Sequence, residues 1–444
     1  MLSLKKVIWA LLSNVVDLMI GVGLLILVTR FYSTEDAGRW ILFTTIFFLI
    51  TRIREGVIQT ALNKSGSGVD EQCRYDAMKL SFTVNTVLEF VISIIFLSIG
   101  LLGLGESIND FLLFYPLGAI PWAAYRWQVY AHLLQHQVEV IFRGNVLVFI
   151  CLVISTLLVY RMELPVHYLV LVLSVSGSVG AIYGIGVIGI KKLWKSNYRE
   201  EHIKVIKRYG GHGALRGFTG NITNRINVFL TAGLLTMTDT AIYGVAQKYI
   251  HLVLMPNSAI QSLLFPKFCE AANQGEHKLV KHMFENTVSS LMGMFVIVVV
   301  GAFFIAPIAV PIVNGPEYQR SIPLIMAILC MSAITAPFGN AFGSAINAIG
   351  KPEVNTWLLI VVSLVNVIAT YVMISLFGLW GTILGPLVAE LVSLIWTSVI
   401  MNRELNINYI RCFLMIPTSY QKVWNKASKA YVRSRQGNSS NTKN

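Results

Sequence analysis

The sequence predicts an all-α polytopic membrane protein of about twelve transmembrane helices, arranged as two six-helix bundles. Three observations carry this. The chain is 55% hydrophobic and only 13% charged, whereas a soluble domain averages about 25% charged residues. Apolar runs of about 20 residues recur along the whole chain, the length a helix needs to cross a hydrocarbon core of about 30 Å. The second half also repeats short features of the first. Helices are the default spanning structure because lipid cannot satisfy open backbone. The alternating ten-residue segments of an outer-membrane barrel are absent.

The expected spans cover roughly 7–29, 40–62, 80–103, 111–134, 144–160, 167–190, 212–235, 241–264, 287–313, 322–345, 355–377 and 379–401. The first follows Lys5 and Lys6 and is too long for a signal-peptide core, so it is expected as an uncleaved span. Spans four, nine and ten contain prolines (Pro116 and Pro121; Pro307 and Pro311; Pro323 and Pro337), which membrane helices tolerate.

Charge placement sets an orientation. With the N-terminus inside, 25 of the 35 lysines and arginines fall in inner segments and four in outer ones. This positive-inside asymmetry puts both ends in the cytoplasm. It also accounts for the net charge of +13 as topology signals beside anionic membrane lipids, with no need for nucleic acid. The five cysteines (Cys73, Cys151, Cys269, Cys330 and Cys412) are scattered and read as free thiols.

The longest internal loop expected, residues 191–211, is basic and separates an N-terminal bundle (1–190) from a C-terminal one (212–402), with a basic cytoplasmic tail at 403–444. The halves carry matching features. Asp36 in FYSTEDAGRW and Asp239 in LLTMTDTAIY stand at an offset of 203, and Ile58-Gln59 and Ile260-Gln261 at an offset of 202. An even number of spans per half makes such a repeat parallel, with a pseudo-twofold along the membrane normal. Transporters built this way bind cargo near the midplane, at the repeat interface.

The membrane interior holds six basic residues against four acidic ones (Asp17, Glu55, Glu89 and Glu390). The densest group is in ITRIREGVIQT, residues 50–60. A charge near the bilayer centre costs at least about 2.5 kcal/mol on insertion scales, so an idle one there is not expected. Arg52, Glu55 and Gln59 share a helical face. Arg54 points roughly 200° away from Arg52 at about 100° per residue. It lies ten residues before Lys64, so roughly 15 Å inward, near the midplane. Span seven adds Asn221, Asn224 and Arg225 on one stripe, span eight adds Lys248, span four adds Arg126, and Arg216 lies nearer the cytosolic end. Arginine offers bidentate contacts to phosphate oxygens, and amide side chains offer hydrogen bonds to hydroxyls. Asp17 and Glu55 are candidate carriers for a coupling proton or sodium ion. The competing use of these charges is an ion-pair web, such as Arg52–Glu55 and Asp17–Arg225, that only locks helices together.

LVTRFYSTEDAGRWILFTTIFFLI, TDTAIYGVAQKYIHLVLMPNSAIQSLLFPKFCEA, VNGPEYQRSIPLIMAIL, AINAIGKPEVNTWLL and GLWGTILGPLVAELVSLI resemble, in order and spacing, the oligosaccharide flippases of polysaccharide biosynthesis (Wzx-type O-antigen translocases). These belong to the multidrug/oligosaccharidyl-lipid/polysaccharide exporter superfamily. The resemblance implies two six-helix bundles around a central cavity in the bacterial cytoplasmic membrane. It implies transfer of an undecaprenyl-pyrophosphate-linked oligosaccharide from the inner to the outer leaflet by alternating access, alongside other polysaccharide assembly proteins. Asn227 stands where family members often carry aspartate in span seven, so ion coupling through that position is not implied.

No cofactor is expected, and no enzymatic signature is present: HExxH, GxSxG and the Walker motif are all missing. The glycines of VSGSVGAIYGIG read as helix-packing positions in span six. A drug or cation exporter of the same superfamily would favour an acidic interior, opposite to the balance here. A polysaccharide polymerase or glycosyltransferase would be expected to carry a sizeable extramembrane loop with carboxylates or paired histidines, whereas the outer loops here are short.

Overall fold

A computed structural model describes residues 4–66 and 69–417. The architecture is all helical: α1 Leu4–Phe31, α2 Thr34–Gly66, α3 Glu71–Leu101, α4 Asn109–Leu134, α5 Val138–Arg161, α6 Leu169–Ile188, α7 Ile190–Lys195, α8 Glu200–Leu234, α9 Met237–Asn273, α10 His277–Val313, α11 Ser321–Ala348, α12 Pro352–Phe377, α13 Gly381–Leu405 and α14 Tyr409–Leu414. Among the described residues, seven segments are long and apolar enough to cross a membrane: Leu12–Phe31, Glu71–Leu101, Val138–Arg161, Val166–Ile188, His277–Val313, Pro316–Ala348 and Pro352–Leu405, the last holding both α12 and α13. The chain is a multi-pass membrane protein. The remaining long helices, α2, α4, α8 and α9, are not among those segments, against the twelve spans expected. These are also the helices in which the sequence concentrates polar residues.

The chain forms two compact units, Met1–Gly244 with Val313–Glu317, and Val245–Ile312 with Tyr318–Asn444. In the first unit α8 packs along α2, and α6 along α4. In the second, α12 pairs with α13, and a buried core gathers Phe284, Phe338, Phe342, Met401 and Cys412 from α10, α11, α13 and α14.

Residues 191–211, expected as a loop, are mostly helical. α7 covers Ile190–Lys195, and α8 starts at Glu200 and runs unbroken through the expected start of span seven. The sequence reason is local. Glu200 and Lys204 pair at 3.0 Å one turn apart, and His202 is buried with its ring 3.6 Å from the Cys73 sulfur. The division between the units accordingly falls at Gly244, beyond α8, and not at 191–211.

The repeat noticed at Asp36 and Asp239 takes a physical form. At the start of α2, the Ser33 hydroxyl donates to the Asp36 carboxylate at 2.8 Å, and the Asp36 backbone N–H donates back to the hydroxyl at 3.1 Å. At the start of α9, Thr236 donates to Asp239 at 2.7 Å and the Asp239 N–H returns to the Thr236 hydroxyl at 3.1 Å. Both are reciprocal caps on the orphan N–H groups of a helix start, separated by the same offset. The second repeat pair involves Gln261, whose side chain lies outside the described residues, as does that of Arg216.

Of the span-six glycines, Gly177, Gly180 and Gly184 are packing positions and Gly186 is not. A methyl group on Gly177 would lie 2.9 Å from the Trp122 backbone nitrogen, and one on Gly180 would lie 2.5 Å from both the Tyr125 ring and Val148. Gly186 has nothing within 4 Å. Overpacking a tight contact costs about 1–3 kcal/mol. Gly177→Val should therefore lower the melting temperature of the detergent-purified protein by several degrees, and Gly186→Ala should leave it unchanged. Thermal denaturation followed by size-exclusion chromatography checks the contrast.

Candidate functional site

The polar interior of the first unit is built from four helices. α2 supplies Arg52, Arg54 and Glu55. Arg52 Nη1 meets Glu55 Oε2 at 3.0 Å across one turn, as their spacing requires. Glu55 is buried and takes three donors. Arg126 Nε from α4 donates to its Oε1 at 2.6 Å, and the Tyr130 hydroxyl, one turn further along α4, donates to its Oε2 at 2.8 Å. Arg126 Nη1 then reaches Asp17 Oδ1 on α1 at 3.0 Å. One guanidinium thus ties α1 and α2 to α4. Beside it, the Tyr125 hydroxyl donates to Asn145 at 2.7 Å, and the Asn145 amide donates to the Ser13 hydroxyl at 3.2 Å, extending the network to α5.

Arg54 turns to the other side of α2. It is buried and pairs with Glu89 of α3, itself buried. The angular separation of the two arginines on an ideal helix accounts for this split. Glu89 was visible in the sequence as an intramembrane acid, though not as a site residue. Its one signal was that it is the sole carboxylate in SFTVNTVLEFVISIIF, which demands a basic partner. Tyr130 had a weaker signal, standing four residues from Arg126 on one face of α4.

Arg225 of α8 is half-buried and faces α2. Its Nη1 donates to the Thr45 carbonyl at 3.4 Å. It makes no ion pair with any described residue. The expected pairing of Asp17 with Arg225 is therefore replaced by Asp17 with Arg126, because α1 presents Asp17 to α4 while α8 presents Arg225 to α2. Arg126, expected among the cargo contacts, is the centre of the web. Gln59 is exposed on α2, and Lys248 belongs to the second unit. The side chains of Asn221 and Asn224 lie outside the described residues. No cluster of three or more metal-ligating side chains occurs among the described residues.

This arrangement balances two arginines, Arg52 and Arg126, against two carboxylates, Asp17 and Glu55, while Arg54 and Glu89 neutralise each other. Arg225 adds a positive charge that no described carboxylate offsets. Arg52 keeps 45% of its side chain exposed against 2% for Arg54, so an outside anion can reach Arg52 and not Arg54.

The fold is that of a transporter class. The structure superposes on an inward-facing multidrug resistance MATE family transporter of the MOP superfamily with a TM-score of 0.74 at 15% identity, covering 89% of this chain and 98% of that one. It superposes on the lipid II flippase MurJ in an inward closed conformation with a TM-score of 0.69 at 14% identity, covering 95% and 92%. A Vibrio cholerae MATE transporter gives 0.60 at 12% identity, covering 90% and 96%. At these identities the likeness establishes the fold. Residues 119–323 match the profile described as "Polysaccharide biosynthesis protein". An uncharacterized membrane protein of Methanocaldococcus jannaschii is 22% identical over 235 residues, 51% of this chain and 46% of the relative. The chain thus spans about half the length of the curated relative it matches. A segment that matches the polysaccharide biosynthesis profile thus lies in a chain whose fold is shared with the MATE and MurJ structures.

Removing one member of a buried ion pair leaves an uncompensated charge, at a cost of about 3–5 kcal/mol. Arg126→Ala removes the ion-pair partner of Asp17 and one of the two of Glu55, and should destabilise the protein by that order. Arg54→Leu and Glu89→Leu should each be severely destabilised, whereas the double substitution should recover most of the loss, because apolar replacement of a whole buried pair is often neutral. Melting temperatures of the four variants measure this. Equal loss in the single and double variants would remove the pairing as a stabilising contact.

Proposed function

We propose that the protein is a flippase for a lipid-pyrophosphate-linked oligosaccharide, an O-antigen, capsule or exopolysaccharide repeat unit. It would carry this cargo from the inner to the outer leaflet of a bacterial cytoplasmic membrane. In this reading twelve spans form two six-helix bundles related along the membrane normal. Both ends are cytoplasmic, and rocking of the bundles exposes a cationic cavity to each side in turn. The observation that carries it is Arg225, a half-buried guanidinium that donates to the Thr45 carbonyl and pairs with no described carboxylate, on the helix packed along the one that bears the exposed Arg52. Such a charge is costly when empty and is relieved by an anion that meets it. A pyrophosphate supplies that anion, with Gln59, Asn221 and Asn224 on the same helices as hydrogen-bonding partners for sugar hydroxyls. Lys248 is a further cationic contact, and Arg126 and Arg54 hold the scaffold.

Coupling to a proton or sodium ion would act through Asp17 and Glu55. Asp17 keeps 40% of its side chain exposed and Glu55 only 6%, so Asp17 is the carboxylate an ion meets first. Neutralising it frees one side of Arg126 and loosens α1 from α4.

The fold likeness to MATE transporters favours a second reading, export of a cationic drug. The two separate on charge, since a cation is repelled by Arg52 and Arg225. In a strain lacking the native protein, Arg225→Ala should cut surface polysaccharide about tenfold or more, the effect of losing a charge-assisted hydrogen bond of about 1.5–3 kcal/mol. Arg225→Lys should restore part of it. Normal polysaccharide in Arg52→Ala and Arg225→Ala strains, with drug resistance on overexpression, would transfer the assignment to the exporter.

A further inference from the structure

The short helix α7 and the turn after it form a surface unabsorbed by this function. α6 ends at Ile188, the end of an apolar segment able to span the membrane, and α7 begins at Ile190. Between them Gly189 adopts φ +89°, a left-handed value that glycine accommodates, and turns the chain. Two residues of chain reach at most about 7 Å, so α7 starts within headgroup distance of the hydrocarbon edge.

The faces of α7 are set by its spacing at about 100° per residue. Leu193 is buried in the cluster holding Tyr75, Met78 and Trp127. Lys192 lies next to it and pairs with Glu71 of α3 at 3.1 Å. Ile190 and Trp194 share a second face and are 52% and 75% exposed. Lys191 and Lys195 share a third, adjoining face; both are exposed, and neither forms an ion pair with any described residue. The exposure is not slack. Lys79 Nζ donates to the Trp194 and Ser196 carbonyls at 3.0 and 2.6 Å. Asp76, buried on α3, accepts from the Asn197 N–H at 2.8 Å and from Arg199 Nε at 2.5 Å. The backbone is pinned on the protein side, and the apolar and basic faces are turned outward together.

We infer that α7 is a headgroup-binding anchor for anionic glycerophospholipid of the inner leaflet. Trp194 and Ile190 enter the acyl boundary, and Lys191 and Lys195 meet the lipid phosphates. Charge complementarity selects this occupant, since a neutral acyl surface would not need two unpaired lysines beside the tryptophan. Juxtamembrane lysines and interfacial tryptophans are the residues that bind in this way.

The test uses the full chain in liposomes of phosphatidylcholine containing either bromine-labelled phosphatidylglycerol or bromine-labelled phosphatidylcholine at equal dilution. Trp194 emission is the difference between wild type and Trp194→Phe. Stronger quenching by the phosphatidylglycerol is expected. That preference should fall about fivefold for each lysine removed, vanish in Lys191→Gln/Lys195→Gln, and return in Lys191→Arg/Lys195→Arg, which also shows that the variants fold. Equal quenching by both lipids in the wild type, loss of the preference on adding inorganic phosphate, or no quenching by either lipid overturns the inference.

Discussion

The first unit depends on how the guanidinium of Arg126 is desolvated. A buried charge costs several kcal/mol unless its hydrogen-bonding capacity is filled. Here Glu55 and Asp17 fill two directions from α2 and α1, and Tyr130 fills the second oxygen of Glu55. These three helices contribute a polar residue that none could leave in lipid alone. Their mutual position is set by that constraint as much as by apolar packing, because helix association inside a membrane lacks the hydrophobic drive it has in water. Glu55 serves both Arg52 and Arg126, whereas Arg225 meets the Thr45 carbonyl and no described carboxylate.

Much of this was legible in the sequence. Helical spacing placed Arg52 with Glu55 and separated Arg54 from both, and the structure shows Arg54 buried against α3. Spacing on one helix cannot say which neighbour each face meets. The sequence matches Asp17 with Arg225, whereas the structure pairs it with Arg126, because the choice depends on α1 packing against α5 and α2 and on α8 packing against α2. Residues 191–211 read as a loop in sequence yet are mostly helical for a related reason. Its charges and glycines suggest solvent, but Glu200–Lys204 pairing and burial of His202 against Cys73 give a polar sequence a helical place.

The duplicated cap at Ser33–Asp36 and Thr236–Asp239 is the most economical sign of two related halves. A two-residue sequence match carries little weight alone, yet the same four-atom exchange at both helix starts ties it to a folding requirement. Past the caps the halves differ in charge. The helix after the first cap carries Arg52, Arg54 and Glu55, and the helix after the second carries Lys248.

The central claim is that the anionic diphosphate is what the protein holds. Purified protein in liposomes can be offered two lipids with the same fluorescent oligosaccharide, one joined through pyrophosphate and one through a neutral ether. Appearance of the sugar on the opposite leaflet is then read with a membrane-impermeant quencher. The account predicts rapid transfer of the pyrophosphate-linked lipid and background transfer of the neutral one. Equal rates for both would contradict it.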